Sequence, residues 1–247
     1  MNVVDHLGEL RKRLVIAISS IVVGMVVAFI AKDWVFAVLK RPLLNMDGVN
    51  ADLTTFSPTE PFMTVLRVSI YAGLVLALPI VLWQLWAFIM PALYESEKRS
   101  VLPYVLFTTV LFLTGIVFAY FLVLPIGLSF LVGYGGDIFV QQLRAADYIS
   151  FVTLFLLAFG VVFEVPAIML MLTAAELVDH VSLRRVRKYA VIGIAVAAMV
   201  LTPGGDPLSM LLMMGPLIGL YELGILLSQY ASRRRAKKRA KQAAKDA

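Results

Sequence analysis

Apolar residues run along this chain in blocks too long for an ordinary soluble helix, and short clusters of charge separate the blocks. A helix crossing a hydrocarbon core of ~30 Å needs about 20 mostly apolar residues. Six stretches reach or approach that length: 14–31, 62–90, 101–125, 149–173, 189–201 and 208–228. The pattern predicts an all-α integral membrane protein with six transmembrane helices, the last two short. The first block follows Arg11-Lys12-Arg13, the order also found in a cleavable leader. It is longer than the ~15 residues of a leader's apolar region and no A-x-A site follows, so a retained span is expected. The fifth block reaches only about 20 Å as a helix, which predicts a thinned bilayer or shelter from neighbouring helices.

Between the first two blocks, DWVFAVLKRPLL predicts a short amphipathic surface helix that Pro42 and the NMDGVN after it break. SPTE then has the marks of a helix start: Ser57 at the N-cap, Pro58 in the first turn and Glu60 closing a capping box. The helix that follows is about 45 Å long, so it tilts, kinks at Pro79 or projects beyond the bilayer. Trp83, Trp86, Phe88 and Tyr94 predict an aromatic belt at its far end.

Charge fixes an expected orientation. With the N-terminus in the cytoplasm, six spans return the C-terminus there. The inside segments then carry three basic residues at 11–13, two at 98–99, four at 184–188 and eight in the tail from Arg233 to Lys245. That is 17 of the 22 Lys and Arg, as the positive-inside rule requires. The predicted organisation is one six-helix domain over 1–230 and a basic cytoplasmic tail over 231–247, in the cytoplasmic (inner) membrane. The tail is expected to be a frayed helix attracted to anionic lipid, with no nucleic acid as partner.

Composition agrees: 61% hydrophobic, 15% charged and a mean hydropathy of +0.90. A soluble domain carries roughly a quarter charged residues. Cysteine is absent, which excludes a disulfide framework and thiolate metal sites. No enzyme signature is present. His6 and His180 are too far apart for a metal motif, and the GYGG at 133–136 lacks the Lys and Ser/Thr of a phosphate loop. No catalytic residue, metal or cofactor is expected. Gly215 and Gly219 form a small-xxx-small pair, a pattern common by chance.

The acids carry more. In VVDHLGELRKRL, Val3, Leu7, Leu10 and Leu14 recur at helical spacing, so a helix is expected to lead into the first span. Glu9 then lies towards its polar side, where a plain i,i+4 pair with Arg13 is one reading. PALYESEKRS is a tight loop holding Glu95 and Glu97. Acids at two membrane-proximal points of a basic surface suit a cationic ligand, above all guanidinium groups that bind carboxylates through paired hydrogen bonds. Glu164, deep in the fourth block and two residues before Pro166, costs at least ~2.5 kcal/mol if ionised in lipid. It should therefore face protein or water, or be protonated, in a local polar pocket. Arg67 is its one candidate cationic partner, at about 10 Å depth against about 20 Å for Glu164. Glu222 is expected to snorkel to water near the basic tail.

HLGELRKRL at 6–14, SPTEPF at 57–62, QLWAFIMPALYESEKR at 84–99, FAYFLVLP at 118–125, AFGVVFEVP at 158–166 and LTPGGDP at 201–207 together resemble the TatC family. These are multispanning receptor subunits of the twin-arginine protein translocase. The resemblance runs in order over nearly the whole chain. It implies recognition of twin-arginine signal peptides and export of folded proteins with single-span TatA- and TatB-type subunits, in an oligomeric assembly. By motif, Glu9 and Glu97 match the signal-binding carboxylates, and Arg11 and Phe88 match positions of the same cytoplasmic site. Pro42 matches a proline of the first outside loop and Asp206 the acid of the last turn. Family members often carry a histidine where this chain has Ser96. A competing reading is a small proton- or ion-coupled transporter with Glu164 and Glu222 as relay groups. The internal repeat that such transporters often show is not found.

Overall fold

The computed structural model describes residues 3–46, 52–93, 101–133, 142–174, 177–201 and 207–246. They form ten α-helices: α1 (Val3–Ile30), α2 (Lys32–Leu44), α3 (Glu60–Leu93), α4 (Val101–Phe118), α5 (Leu124–Gly133), α6 (Ala145–Phe163), α7 (Val165–Ala174), α8 (His180–Arg185), α9 (Arg187–Leu201) and α10 (Pro207–Asp246). A π-helical turn, Ala119–Val123, joins α4 to α5. Among the described residues four stretches are long and apolar enough to cross a membrane: Leu7–Ile30, Glu60–Ile89, Leu102–Gly133 and Ala145–Ala174. The predicted fifth block lies in α9, of 15 residues. The sixth opens α10, a 40-residue helix that continues through the basic tail to Asp246. The chain forms two compact units, Met1–Gly160 and Val161–Ala247, with the boundary inside α6.

In the first unit α1 packs along α3 with no room for a side chain at the crossing. A Cβ on Gly24 would stand 2.5 Å from the Gly73 carbonyl oxygen, and one on Gly73 would strike the Met25 backbone. Hydrogen at both positions lets the two backbones touch, which gains dispersion contacts that lipid tails cannot supply. α3 is helical from Glu60 to Leu93, Pro79 included. Its aromatic end differs from the predicted belt. Trp83 is 41% exposed, but Trp86 is 3% exposed and donates its indole N–H to Thr108 Oγ1 of α4 at 3.0 Å. An indole with a buried partner belongs in a core rather than at an interface.

Proline shapes α2 and the junction of α4 with α5. Pro42 does not break α2, which runs on to Leu44 and buries Pro42 beside Leu39 and Leu43. A proline in the last turn costs one i→i−4 bond, because it has no N–H for the Val38 carbonyl. The Tyr120 hydroxyl fills that role at 2.8 Å, and the Tyr148 hydroxyl donates to the Leu39 carbonyl at 3.0 Å. Tyr120 itself lies in the π turn. There Leu124 N–H reaches back five residues to Ala119 O, a wider turn that accommodates the ring of Pro125. The third helical block therefore continues past its predicted end at Pro125 to Gly133.

The loops before α3 and α6 are clasped together. Thr54 and Arg144 form an isolated parallel bridge, with Thr54 N–H to Leu143 O at 3.0 Å and Ala145 N–H to Thr54 O at 2.8 Å. Glu60, 6% exposed, lies at the centre. Its carboxylate accepts Arg144 Nε at 3.0 Å and Nη2 at 3.2 Å, and the Phe56 N–H at 3.1 Å. The predicted capping box on Ser57 does not form: the Glu60 carboxylate takes the N–H of Phe56, and the Glu60 N–H donates to the Ser57 carbonyl rather than its hydroxyl. Hydrogen bonding to Glu60 raises the pKa of the Arg144 guanidinium above its usual value.

In the second unit α7 lies against α10. A Cβ on Gly224 would meet Met169 Sδ at 2.5 Å. Around this contact Met169, Leu183, Tyr221 and Ile225 form a buried cluster, and the Tyr221 hydroxyl donates to Leu183 O at 2.9 Å.

Candidate functional site

The HLGELRKRL stretch is helical and continuous with the first apolar span, as predicted. Arg11 is exposed on it, and Glu9 is partly covered. The i,i+4 pair forms: Arg13 Nε donates to Glu9 Oε1 at 3.0 Å, and Nη2 donates to the same oxygen. Sequence reading missed the third contact, Arg13 Nη1 to Gln84 Oε1 of α3 at 3.4 Å. Two anchors fix the register of these antiparallel helices. Arg13 lies eleven residues before Gly24 on α1, and Gln84 eleven residues after Gly73 on α3. The same register sets Glu9 level with Phe88, one turn beyond Gln84. Glu9 and the half-buried Phe88 therefore hold corresponding register positions on α1 and α3. Glu97, Asp206 and Tyr94 lie outside the described residues.

The acids of the apolar helices separate clearly. Glu164 sits at the break between α6 and α7. Its N–H turns back three residues to Val161 O at 3.0 Å, and the helix resumes with Ile168 N–H to Glu164 O at 2.9 Å. Pro166 supplies the cause, having no N–H to continue the ladder. The Glu164 side chain is 8% exposed, and neither carboxylate oxygen has a hydrogen-bond partner. Arg67, the candidate partner, is exposed on α3 and donates to Ser150 Oγ at 2.8 Å, near the start of α6. Glu222, its side chain 39% exposed, pairs with Arg187 Nη2 at 2.8 Å at the start of α9. At Gly215 and Gly219 a Cβ would meet nothing within 4 Å.

Comparison with known proteins matches residues 5–216 to the family of the Sec-independent protein translocase protein (TatC). The chain belongs to the TatC family. It is 38% identical over 230 residues to the Sec-independent protein translocase protein TatC of Carboxydothermus hydrogenoformans, covering 93% of each chain. The TatC of Deinococcus radiodurans is 40% identical, over 91% of this chain and 84% of that one. The fold is that of a crystal structure described as the twin arginine translocase receptor TatC. That match has a TM-score of 0.84 and 38% identity, over 92% of this chain and 99% of that one. Membership makes the chain a membrane component of a protein translocase. The stretch matched to the TatC family takes in every candidate residue from Glu9 to Asp206 and stops within α10.

Proposed function

We propose that this chain is the signal-peptide receptor and core scaffold of a twin-arginine translocase. It crosses the membrane six times with both termini in the cytoplasm, as the distribution of basic residues requires. Glu9 and Glu97 divide the two arginines of the signal, Arg11 and Phe88 complete the site, and apolar helix surface takes the signal's hydrophobic segment. The observation that supports this reading is that Arg13 grips Glu9 and also reaches Gln84, one turn before Phe88, across the α1–α3 seam. Two charge-assisted contacts discriminate better than one, and lysine cannot reproduce the paired geometry of a guanidinium on a carboxylate. The assembled receptor works with single-span TatA- and TatB-type subunits to export folded cargo. No covalent chemistry is assigned to it.

Against the ion-coupled alternative, Glu222 is held in a half-exposed ion pair with Arg187, which is poorly suited to a relay in the membrane. Binding of a twin-arginine signal peptide to Glu9→Ala and Glu97→Ala proteins tests the proposal. Both are expected to bind weakly, and unchanged affinity in both would sink it.

A further inference from the structure

We infer that Arg13, tied to Gln84, is the positioning residue that holds the Glu9 carboxylate ready for a cargo guanidinium. The inference rests on the carboxylate reading above. A glutamate on a helix surface samples several rotamers, and fixing one costs side-chain entropy. Here Arg13 meets that cost before any ligand arrives. Its Nε and Nη2 grip Glu9 from one turn along α1, while Nη1 reaches Gln84 on α3. The carboxylate is thus referenced to two helices, whose register the Gly24–Gly73 contact sets.

Both Arg13 contacts fall on Oε1. A carboxylate has about four acceptor positions over its two oxygens, so this grip is compatible with a second guanidinium on the other edge. Glu9 and Arg13 side chains are 26% and 23% exposed, which keeps the pair reachable from water but partly shielded. The planar fork is essential, because one cation must address two acceptors on different helices at once. Gln84 stands one turn from Phe88, so the same contact orients the carboxylate relative to the aromatic ring.

The test uses the full chain in lipid nanodiscs and a fluorescent synthetic twin-arginine signal peptide. Arg13→Ala should weaken binding about tenfold, roughly the worth of one charge-assisted contact. Arg13→Lys should recover part of the loss, and Gln84→Ala should cost a smaller factor without removing a charge. The deciding readout is coupling. In a Glu9→Gln background Arg13→Ala should cost nothing further, whereas a general folding defect would cost the same in both backgrounds. Tighter or unchanged binding by Arg13→Ala, or an equal loss with Gln at position 9, overturns this inference alone. Normal binding by Glu9→Gln itself overturns the carboxylate reading and this inference with it.

Discussion

The Tyr120 hydroxyl donates at 2.8 Å to the Val38 carbonyl, the acceptor that Pro42 leaves without its usual helical partner. A resemblance marks Pro42, but the contact gives it a physical consequence: the proline makes the Val38 carbonyl depend on Tyr120 in the π turn, 82 residues after Val38. Tyr120→Phe should therefore destabilise the protein by about 1–2 kcal/mol, the cost of a stranded polar group. With Ala at position 42, the Val38 carbonyl regains a backbone N–H, and the cost of Tyr120→Phe should shrink. Thermal unfolding of the four proteins in one detergent checks this. Equal losses in both backgrounds would show that the hydroxyl serves something other than Val38.

Glu60 should behave as the hub of the clasp between the loops before α3 and α6. Glu60→Ala removes the acceptor for Arg144, the Phe56 N–H and, at 3.4 Å, the Ala146 N–H. Glu60→Gln keeps an acceptor oxygen but loses the two-oxygen grip on the guanidinium. The expected order of protease resistance near residues 52–57 and 142–147 is wild type, then Gln, then Ala. Arg144→Ala should resemble Glu60→Gln, since the backbone bonds of Thr54 remain. A Glu60→Ala protein as resistant as wild type would mean that the Thr54 bridge holds the loops unaided.

Hydrophobic blocks and their flanking charges reveal the first four apolar helices, the helical lead-in to α1 and the Glu9–Arg13 pair, because each is a local property of sequence. Contacts across the fold are not legible. Glu60 and Arg144 are 84 residues apart, and nothing at either position names the other. α3 is apolar on all sides, so periodicity cannot separate a packed face from a lipid face; the pattern alone puts Trp86 at an interface for that reason. The glycine pattern misleads in the same way. Gly215 and Gly219 have the motif spacing and no close neighbour, whereas Gly24 and Gly73, with the same small-xxx-small spacing to Ala28 and Ala77, touch backbone to backbone.

That contrast is directly testable. Gly24→Ala and Gly73→Ala each force a methyl group into backbone and should destabilise by roughly 1–3 kcal/mol through overpacking. Because the crossing sets the register of Glu9 against Phe88, signal-peptide binding should fall with stability. Gly215→Ala and Gly219→Ala should leave the thermal midpoint unchanged. Binding that survives a clear loss of stability at Gly24 or Gly73 would separate the helix crossing from the site.

Glu164 presents the opposite balance, a group whose removal should help the fold and harm the function. Its two oxygens are buried and unpartnered at the break before Pro166, and desolvation of such atoms opposes folding. Glu164→Leu should raise the thermal midpoint, with Glu164→Gln closer to wild type because an amide remains. Transport of a folded twin-arginine cargo by membrane vesicles should fall in both, most in Leu, while signal-peptide binding stays intact. A buried acid that costs the fold stability is expected to serve a step beyond recognition. A Glu164→Leu protein that is less stable would place the carboxylate among the groups that hold α6 to α7. One that is more stable and also loses signal binding would assign Glu164 to recognition, leaving Glu9 and Glu97 with only part of that task.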